Sequence, residues 1–161
     1  MVDCLENYWI ENKARFPQVT KIILNQDNGP ECSSTRTQYI KRIVEFSMKY
    51  NLEIELAYYP PYHSKYNPIE RVWGVLEQHW NGDILDSRET VLKFAETMTW
   101  KGNNPTVKLV EKPYCSGVKL TKIEMSIYEK CITRRSGLEK WSVQISPGRC
   151  RQIFSQESTA S

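Results

Sequence analysis

Two short apolar segments with one amphipathic segment between them constrain the fold of this chain most strongly. Residues 21–25, with the apolar residues 22–24 at their centre, are typical of a short strand buried on both faces, and residues 53–58 alternate as a strand does. Residues 35–50 place apolar side chains at helical spacing. The order strand, helix, strand predicts a parallel strand pair and therefore an α/β fold with strands flanked by helices.

Further helices are predicted on either side of this unit. Asp3 is the expected N-cap of a first helix that runs to about residue 14. A helix is expected over residues 68–80, where Trp73 and Trp80 lie seven residues apart on one apolar face and are expected in the core. Ser87 is expected to open the next helix.

The last third of the chain predicts a small α+β extension. Residues 106–110 and 141–145 are candidate strands. Thr121 and Glu124 form a capping-box pattern that opens a short helix to about residue 131. The polar tail after Pro147 is expected to be frayed.

Composition excludes several classes of protein. The 161 residues suffice for one domain with a core, and the net charge of +3 permits a nucleic-acid partner without requiring one. No two of the five cysteines have C-x-x-C spacing, so we expect reduced thiols in a cytoplasmic protein rather than a zinc site. No apolar run reaches the length of about 18 residues that a membrane span needs, so no membrane association is expected.

Two carboxylates follow the two predicted strands. Asp27 comes directly after the first strand, and Glu70 lies in the first turn of the helix after the second. Open α/β sheets place ligands at the carboxyl ends of their strands. Carboxylates gathered at such an edge repel each other unless a cation lies between them, and Mg²⁺ or Mn²⁺ prefers oxygen ligands.

Each carboxylate also has a purely structural interpretation. Asp27 in the sequence D-N-G-P is a turn residue whose side chain can accept a hydrogen bond from the backbone two residues on. Asn67 as N-cap, Pro68 in the first turn and Glu70 three residues after the cap fit a capping box. In that case the protein is an α/β domain whose carboxylates only cap and turn the chain.

The flanking residues carry a family resemblance. The segments ILNQDNGPE (residues 23–31) and YYPPYHSKYNPIERVWGVLEQHW (58–80) resemble the second and third catalytic blocks of bacterial insertion-sequence DDE transposases. HWNGDILDSRETVLKF (79–94) and KPYCSGVKLTKIEM (112–125) resemble the C-terminal portion of the Rhodopirellula-type DDE transposases. The resemblance covers about residues 1–146.

The resemblance implies a fold, with its divisions, and a site. Residues 1–100 would be the C-terminal part of an RNase H-like (integrase-type) catalytic core, 101–146 a family-specific extension and 147–161 a polar tail. Asp27 and Glu70 would be catalytic ligands of a two-ion Mg²⁺ or Mn²⁺ site that cleaves DNA and joins element ends to a target. The residues that would contact DNA beside these carboxylates are Asn28, Lys65, Asn67 and Arg71.

One part of the family pattern has no counterpart. The first catalytic Asp of the family lies on an early strand, and Asp3 does not match it. Enzymatic activity is therefore left open: we expect a transposase fragment with weak or absent metal binding and little strand transfer. The alternative is a non-catalytic DNA-binding or interaction remnant that modulates a full-length transposase.

The expected partners are transposon ends, target DNA and either a second copy of the chain or a full-length transposase. Without the family's first strands, the strand at 21–25 or that at 53–58 would keep an open edge. An open apolar edge favours self-association.

Overall fold

The structure is a computed structural model that describes residues 1–59, 67–115 and 117–159. These residues divide into two compact units. Residues 1–59 and 117–159 form a sheet-bearing unit, and residues 67–115 form a helical unit. No helix in the described ranges is long and apolar enough to cross a membrane.

The sheet-bearing unit contains four helices and four strands. Its first half reads helix, strand, helix, strand, and its second half adds a helix, two short strands and a final helix. In chain order these are α1 (Val2–Asn12), β1 (Lys21–Gln26), α2 (Thr37–Tyr50), β2 (Glu53–Tyr58), α5 (Lys122–Cys131), β3 (Ile132–Arg134), β4 (Ser142–Ile145) and α6 (Pro147–Thr159). A single 3₁₀ turn, Lys13–Arg15, follows α1.

The four strands form one mixed sheet in the order β1-β2-β4-β3. β1 and β2 are parallel, with Lys21 opposite Glu53 and Gln26 opposite Tyr58. β4 runs antiparallel to both of its neighbours. The predicted α/β class and the predicted parallel pair are confirmed.

The core lies between α2 and one face of the sheet. α2 buries Ile40, Ile43 and Val44 completely, because these residues share one face at helical spacing. The sheet contributes alternate residues of β2, among them Ile54 and Leu56. Each such side chain contributes about 1.5–3 kcal/mol when it leaves water. Helices α1, α5 and α6 pack around α2 and complete this layer.

β1 differs from its prediction. Its residues alternate between exposed and half-buried positions, so it is not buried on both faces. It lies at the end of the sheet, and the side chain of Ile23 is 55% exposed. The apolar run in the sequence reflects a strand with one face on the core and one face outside.

The C-terminal tail is a helix rather than a frayed end. In α6, Cys150 is buried, and Ile153 and Phe154 pack against the core. These three residues lie at positions i, i+3 and i+4, so they form one narrow apolar stripe in a polar segment. The sequence prediction failed because it relied on the mean polarity of the tail and not on the spacing of its few apolar residues.

For the short strands, one prediction is confirmed, one is wrong, and one strand was not predicted. The predicted strand near 141–145 is confirmed as β4. The predicted strand at 106–110 is wrong, because those residues have no regular structure. The sequence prediction missed β3, which has only three residues and pairs with β4.

The first helix begins earlier than expected. Its N-cap is Met1, so the prediction of Asp3 as N-cap is wrong. Asp3 lies in the first turn and forms an ion pair with Arg42 at 2.6 Å. Glu6 accepts hydrogen bonds from Lys49 at 2.7 Å and from the Tyr50 hydroxyl at 2.9 Å. These carboxylates attach α1 to α2.

The helical unit consists of α3 (Pro68–His79) and α4 (Arg88–Thr97). Ser87 caps α4 as predicted, accepting a hydrogen bond from the Thr90 backbone. The His79 ring bonds to the Thr97 hydroxyl at 3.0 Å. Trp73 is 54% exposed, so its predicted place in the core is wrong, and Trp80 is half-buried. Two short helices bury only a narrow surface between them, so part of the apolar face of α3 stays exposed to solvent.

We expect replacement of Ser47 by alanine to lower the free energy of unfolding by about 1–3 kcal/mol, since it leaves a buried acceptor without its partner. The Ser47 hydroxyl donates to the Leu52 carbonyl at 2.7 Å inside the core. The matched control is Ser126→Ala, because Ser126 makes a bond of the same length to the Ile123 carbonyl but is exposed. Chemical denaturation should separate the two variants, and equal losses would contradict the burial argument.

Glu6→Gln should lower stability at neutral pH and have less effect as the solution is acidified. The hydrogen bond from Lys49, with help from Tyr50 and Arg42, lowers the pKa of Glu6 from its ordinary value of 4.5. A lowered folded-state pKa gives stability that is present above the unfolded value and is lost as pH falls through the folded one. Urea melts from pH 7 to about pH 3 test this. A stability difference between Glu6→Gln and the wild type that stays constant with pH would contradict this expectation. The control is Glu77→Gln, because Glu77 is an exposed residue of α3.

Candidate functional site

Asp27 follows the last residue of β1 and is exposed. Its Oδ1 accepts a hydrogen bond from the Gly29 backbone at 3.0 Å and lies 3.6 Å from the Cys32 sulfur. The turn hydrogen bond predicted from the sequence is therefore confirmed. A Cβ atom at Gly29 would lie 3.1 Å from the same oxygen, so the turn brings backbone and carboxylate into close contact. Both hydrogen bonds use Oδ1, and Oδ2 bonds to no other residue in the described ranges.

The loop after Asp27 is fixed by contacts with distant elements. Asn28 has a φ of 59°, and its side-chain oxygen accepts a hydrogen bond from the Ser34 backbone at 3.1 Å. The Cys32 carbonyl accepts a bond from the Tyr58 hydroxyl at 2.8 Å. Arg134 donates to the Ser34 carbonyl at 2.9 Å. The backbone that carries Asp27 is thus held from β2 and from the end of β3.

A partly buried polar pair lies at the end of β1. The Gln26 amide bonds to the hydroxyl of Tyr39 on α2. The other amide atom, Oε1, is buried without a hydrogen-bond partner in the part of the chain that the structure describes. Burial raises the pKa of Tyr39 to about 12 and also raises the pKa of Tyr58. Both phenols therefore keep their protons at neutral pH.

Glu70 lies in the first turn of α3 and is exposed. Asn67 is the N-cap and Pro68 follows it, as predicted, but the Asn67 side chain makes no capping hydrogen bond. The capping box proposed for Glu70 is therefore wrong. α5 shows the contrast, because Thr121 and Glu124 form the complete reciprocal pair there. The Glu70 carboxylate makes no hydrogen bond or ion pair with the residues described.

The remaining predicted site residues are placed as follows. Asn28 supports the loop through its oxygen, which leaves its NH₂ group available as a donor. Asn67 is half-buried, and Arg71 is exposed beside Glu70. Lys65 lies outside the described residues. Asp27 and Glu70 belong to different units.

Sequence reasoning missed the residues that support Asp27. Tyr58 and Arg134 donate hydrogen bonds to its loop from other elements, and Tyr39 bonds to Gln26 at the end of β1. Arg134 lies 100 residues from its partner, and no local pattern points to such a contact. Gln26 offered a weak signal, since a polar side chain at the end of an apolar strand requires a partner.

Metal ligation can be judged from the type and the number of the donors. Asp27 and Glu70 are carboxylates, the ligand type that Mg²⁺ and Mn²⁺ prefer. Within the described ranges, however, no group of three or more His, Cys, Asp or Glu side chains comes together in a way that could hold a metal ion. Asp27 and Glu70 are therefore of the ligand type that such an ion prefers, but the described residues bring too few of these ligands together.

Replacing Asp27 by alanine should destabilise the protein by about 0.5–1.5 kcal/mol, because the Gly29 N–H loses its acceptor. Asp27→Asn should leave stability nearly unchanged, because the amide oxygen can accept the same bond. Thermal unfolding of both variants without added metal measures this. An equal loss in the two variants would mean that the charge, rather than the acceptor, holds the turn.

Comparison with known proteins agrees with the sequence resemblance. The family model described as the Rhodopirellula transposase DDE domain matches residues 1–147. No curated protein and no solved structure matches the chain. The match extends from α1 to the first residue of α6 and includes both Asp27 and Glu70. The chain belongs to the Rhodopirellula transposase DDE domain family.

Proposed function

We propose that this chain serves in DNA transposition as part of a DDE transposase, a metal-dependent enzyme that cleaves DNA and transfers its strands. Asp27 and Glu70 are two of its catalytic carboxylates. Family membership supports this role. The observation that carries it is the exposed Asp27 at the carboxyl end of β1, held by a fixed loop with Oδ2 left over. Strand ends of this kind are where α/β sheets place their ligands.

The sheet supports an RNase H-like core as the framework of the site. β1 and β2 are parallel neighbours, and α2 crosses between them on the buried face. Gln26 pairs with Tyr58, so both strands end at one edge. In the sequence, Glu70 follows the last residue of β2 by twelve residues.

The carboxylates would bind Mg²⁺ or Mn²⁺, which would activate water or a DNA 3′-hydroxyl and stabilise the departing oxygen. The protein's own part is to place the ligands. The turn at Gly29 fixes Oδ1 of Asp27 and so orients the whole carboxylate. Glu70 near the start of α3 keeps its carboxylate unused by any cap. A carboxylate held in advance loses less freedom when a cation binds.

DNA contacts are proposed beside these ligands. Arg71 is exposed next to Glu70, and a guanidinium is well suited to hold a phosphate. The NH₂ group of Asn28 is a second donor on the side of Asp27. Lys65 and Asn67 complete the proposed set. Such contacts position the DNA backbone without reading its sequence.

The chain on its own is proposed to be a weak enzyme. The family site has three carboxylates, and Asp3 is not the third because it pairs with Arg42 at 2.6 Å. Two carboxylates neutralise and hold a divalent cation less well than three. Strong activity would require a further carboxylate ligand, and no group of described residues supplies one.

Mn²⁺ at millimolar concentration should raise the melting temperature of the wild type slightly and leave that of an Asp27→Asn/Glu70→Gln double variant unchanged. Binding to the folded state alone stabilises it, and the size of the shift follows the affinity. Differential scanning fluorimetry with and without the ion measures this, and Ca²⁺ serves as a second oxygen-seeking ion. An equal shift in the double variant would show that the ion binds elsewhere.

The purified chain should show little or no nicking of supercoiled plasmid in Mn²⁺. The Asp27→Asn variant is the matched control, because it keeps the turn acceptor and removes the charge. Vigorous nicking that disappears in this variant would overturn the proposal that the chain on its own is a weak enzyme, while leaving Asp27 as a catalytic ligand. Equal nicking by both proteins would indicate a contaminating nuclease.

A further inference from the structure

Two buried cysteines meet between α5 and α6. Cys131 is the last residue of α5, Cys150 lies near the start of α6, and both side chains are completely buried. The Cys150 sulfur lies 3.8 Å from the Cys131 carbonyl oxygen, and the two thiols hydrogen-bond to each other. Two thiols in contact can be oxidised together to one disulfide, a reaction that a single thiol cannot complete alone.

The packing of the two helices keeps these thiols together. The rings of Tyr128 on α5 and Phe154 on α6 meet edge to face, with their centroids 5.6 Å apart. Lys130 on α5 forms an ion pair with Glu157 on α6 at 2.5 Å. These contacts fix α5 against α6, so the fold itself places the two sulfurs side by side.

The pair lies at the base of the β3–β4 hairpin. β3 begins at Ile132, directly after Cys131, and Ile132 is paired with Ile145 at the end of β4. A bond between the two sulfurs would therefore close the hairpin at its open end. β3 also carries Arg134, which donates a hydrogen bond to the loop after β1 at 2.9 Å. Closing the base would restrain the strand that supplies this contact.

Cys150 is the thiol suited to react first. The hydrogen bond from the Cys131 thiol lowers the pKa of Cys150, and Arg149 and Arg151 act in the same direction. That hydrogen bond and burial raise the pKa of Cys131. The position near the start of α6 also favours an anion at Cys150, because the helix dipole is positive there. The thiolate is the form that attacks an oxidant, so the two cysteines have different roles.

We propose that Cys131 and Cys150 are a redox pair that forms a reversible disulfide at the base of the β3–β4 hairpin, with hydrogen peroxide as the oxidant. The Cys150 thiolate attacks one peroxide oxygen and the O–O bond breaks. Cys150 becomes a sulfenic acid, and the departing hydroxide takes up the proton that Cys150 released and leaves as water. The Cys131 sulfur then attacks the Cys150 sulfur, the S–OH bond breaks, and a second water leaves with the Cys131 proton.

The electrons balance in both directions. Two thiols are oxidised to one disulfide while one peroxide is reduced to two waters. Reduction follows by exchange with a small thiol, two molecules of which leave as their own disulfide and return both protons to the protein.

Local opening of α6 gives the peroxide access. α6 attaches to the core through a narrow apolar stripe, so it can open without unfolding of the sheet. Closure then returns the oxidised Cys150 to Cys131. Cys32 is the comparison within the same protein, because it is buried too but its sulfur lies 3.6 Å from the Asp27 carboxylate. Burial and that carboxylate raise the pKa of Cys32, so it should stay reduced.

This inference goes beyond the proposed function and does not depend on it. Neither Asp27 nor Glu70 takes part in the oxidation. Loss of metal binding would leave the disulfide intact, and failure of the disulfide to form would leave the proposed chemistry untouched.

Counting free thiols after peroxide treatment tests the pair. The Cys4→Ser/Cys115→Ser variant removes the two exposed thiols. After brief exposure to hydrogen peroxide, this variant is denatured in iodoacetamide. Mass spectrometry should then find Cys32 alkylated and a cross-link between the peptides that contain Cys131 and Cys150. Dithiothreitol before alkylation should make all three cysteines react. Three alkylated cysteines without dithiothreitol, or oxidation of Cys32 in place of the pair, would overturn the proposal.

Two alanine variants in the same background test the assigned roles. Cys131→Ala should stop at the sulfenic acid of Cys150, which dimedone traps. Cys150→Ala is the matched control, and its Cys131 should take up no dimedone. The reverse pattern, or equal labelling of the two variants, would overturn the assignment. If circular dichroism shows that either variant is unfolded, the thiol count decides.

Thermal unfolding gives an independent readout. The disulfide closes a loop from residue 131 to residue 150 and restricts the unfolded chain, so peroxide should raise the melting temperature by about 5–10 °C. Dithiothreitol should reverse the rise, and Cys150→Ala should show none. A cross-linked protein whose melting temperature is unchanged or lower would overturn the proposal that the folded structure accommodates the bond.

Discussion

Burial of α2 against β2 is the interaction on which the sheet-bearing unit depends. Ile40, Ile43 and Val44 are fully buried on the helix, and Ile54 and Leu56 are buried on the strand. The crossover from β1 through α2 to β2 makes the two strands parallel, and their register brings both to an end at one edge. The helices α1, α5 and α6 then add to a layer that α2 has already defined. The polar contacts between α1 and α2 also depend on this core, because it positions α2.

The same packing gives the Asp27 loop its fixed shape. Gln26 and Tyr58 end the two strands side by side, and each takes part in a polar contact next to the loop: Gln26 with Tyr39, and Tyr58 with the Cys32 carbonyl. The carboxylate that follows β1 is thus held by groups that the core has already ordered. The arrangement combines a rigid support with an exposed carboxylate, which suits the metal-binding role proposed for Asp27. The unpartnered Gln26 oxygen is a small cost of placing polar groups so near the core.

Local patterns in the sequence determined much of what the structure contains. Strong periodicity located β1, α2 and β2, and local chemistry located the caps at Ser87 and Thr121 and the turn at Asp27. The motifs around Asp27 and Glu70 also identified the family, because they combine residue type with spacing. These signals are short-range, so they can be read without knowing what packs against what. The roles of Asp27 and Glu70 in metal binding rest on the same motifs and remain a proposal.

Only the tertiary structure decided which faces are covered. Ile23 and Trp73 have the side chains of core residues, yet both are exposed, because no described element lies over them. The polar α6 was expected to fray, yet its narrow stripe of Cys150, Ile153 and Phe154 finds the core. Arg134 reaches a loop 100 residues away. Burial depends on partners that are distant in the chain, and for that reason the sequence predicted the elements and the candidate ligands but not their surroundings.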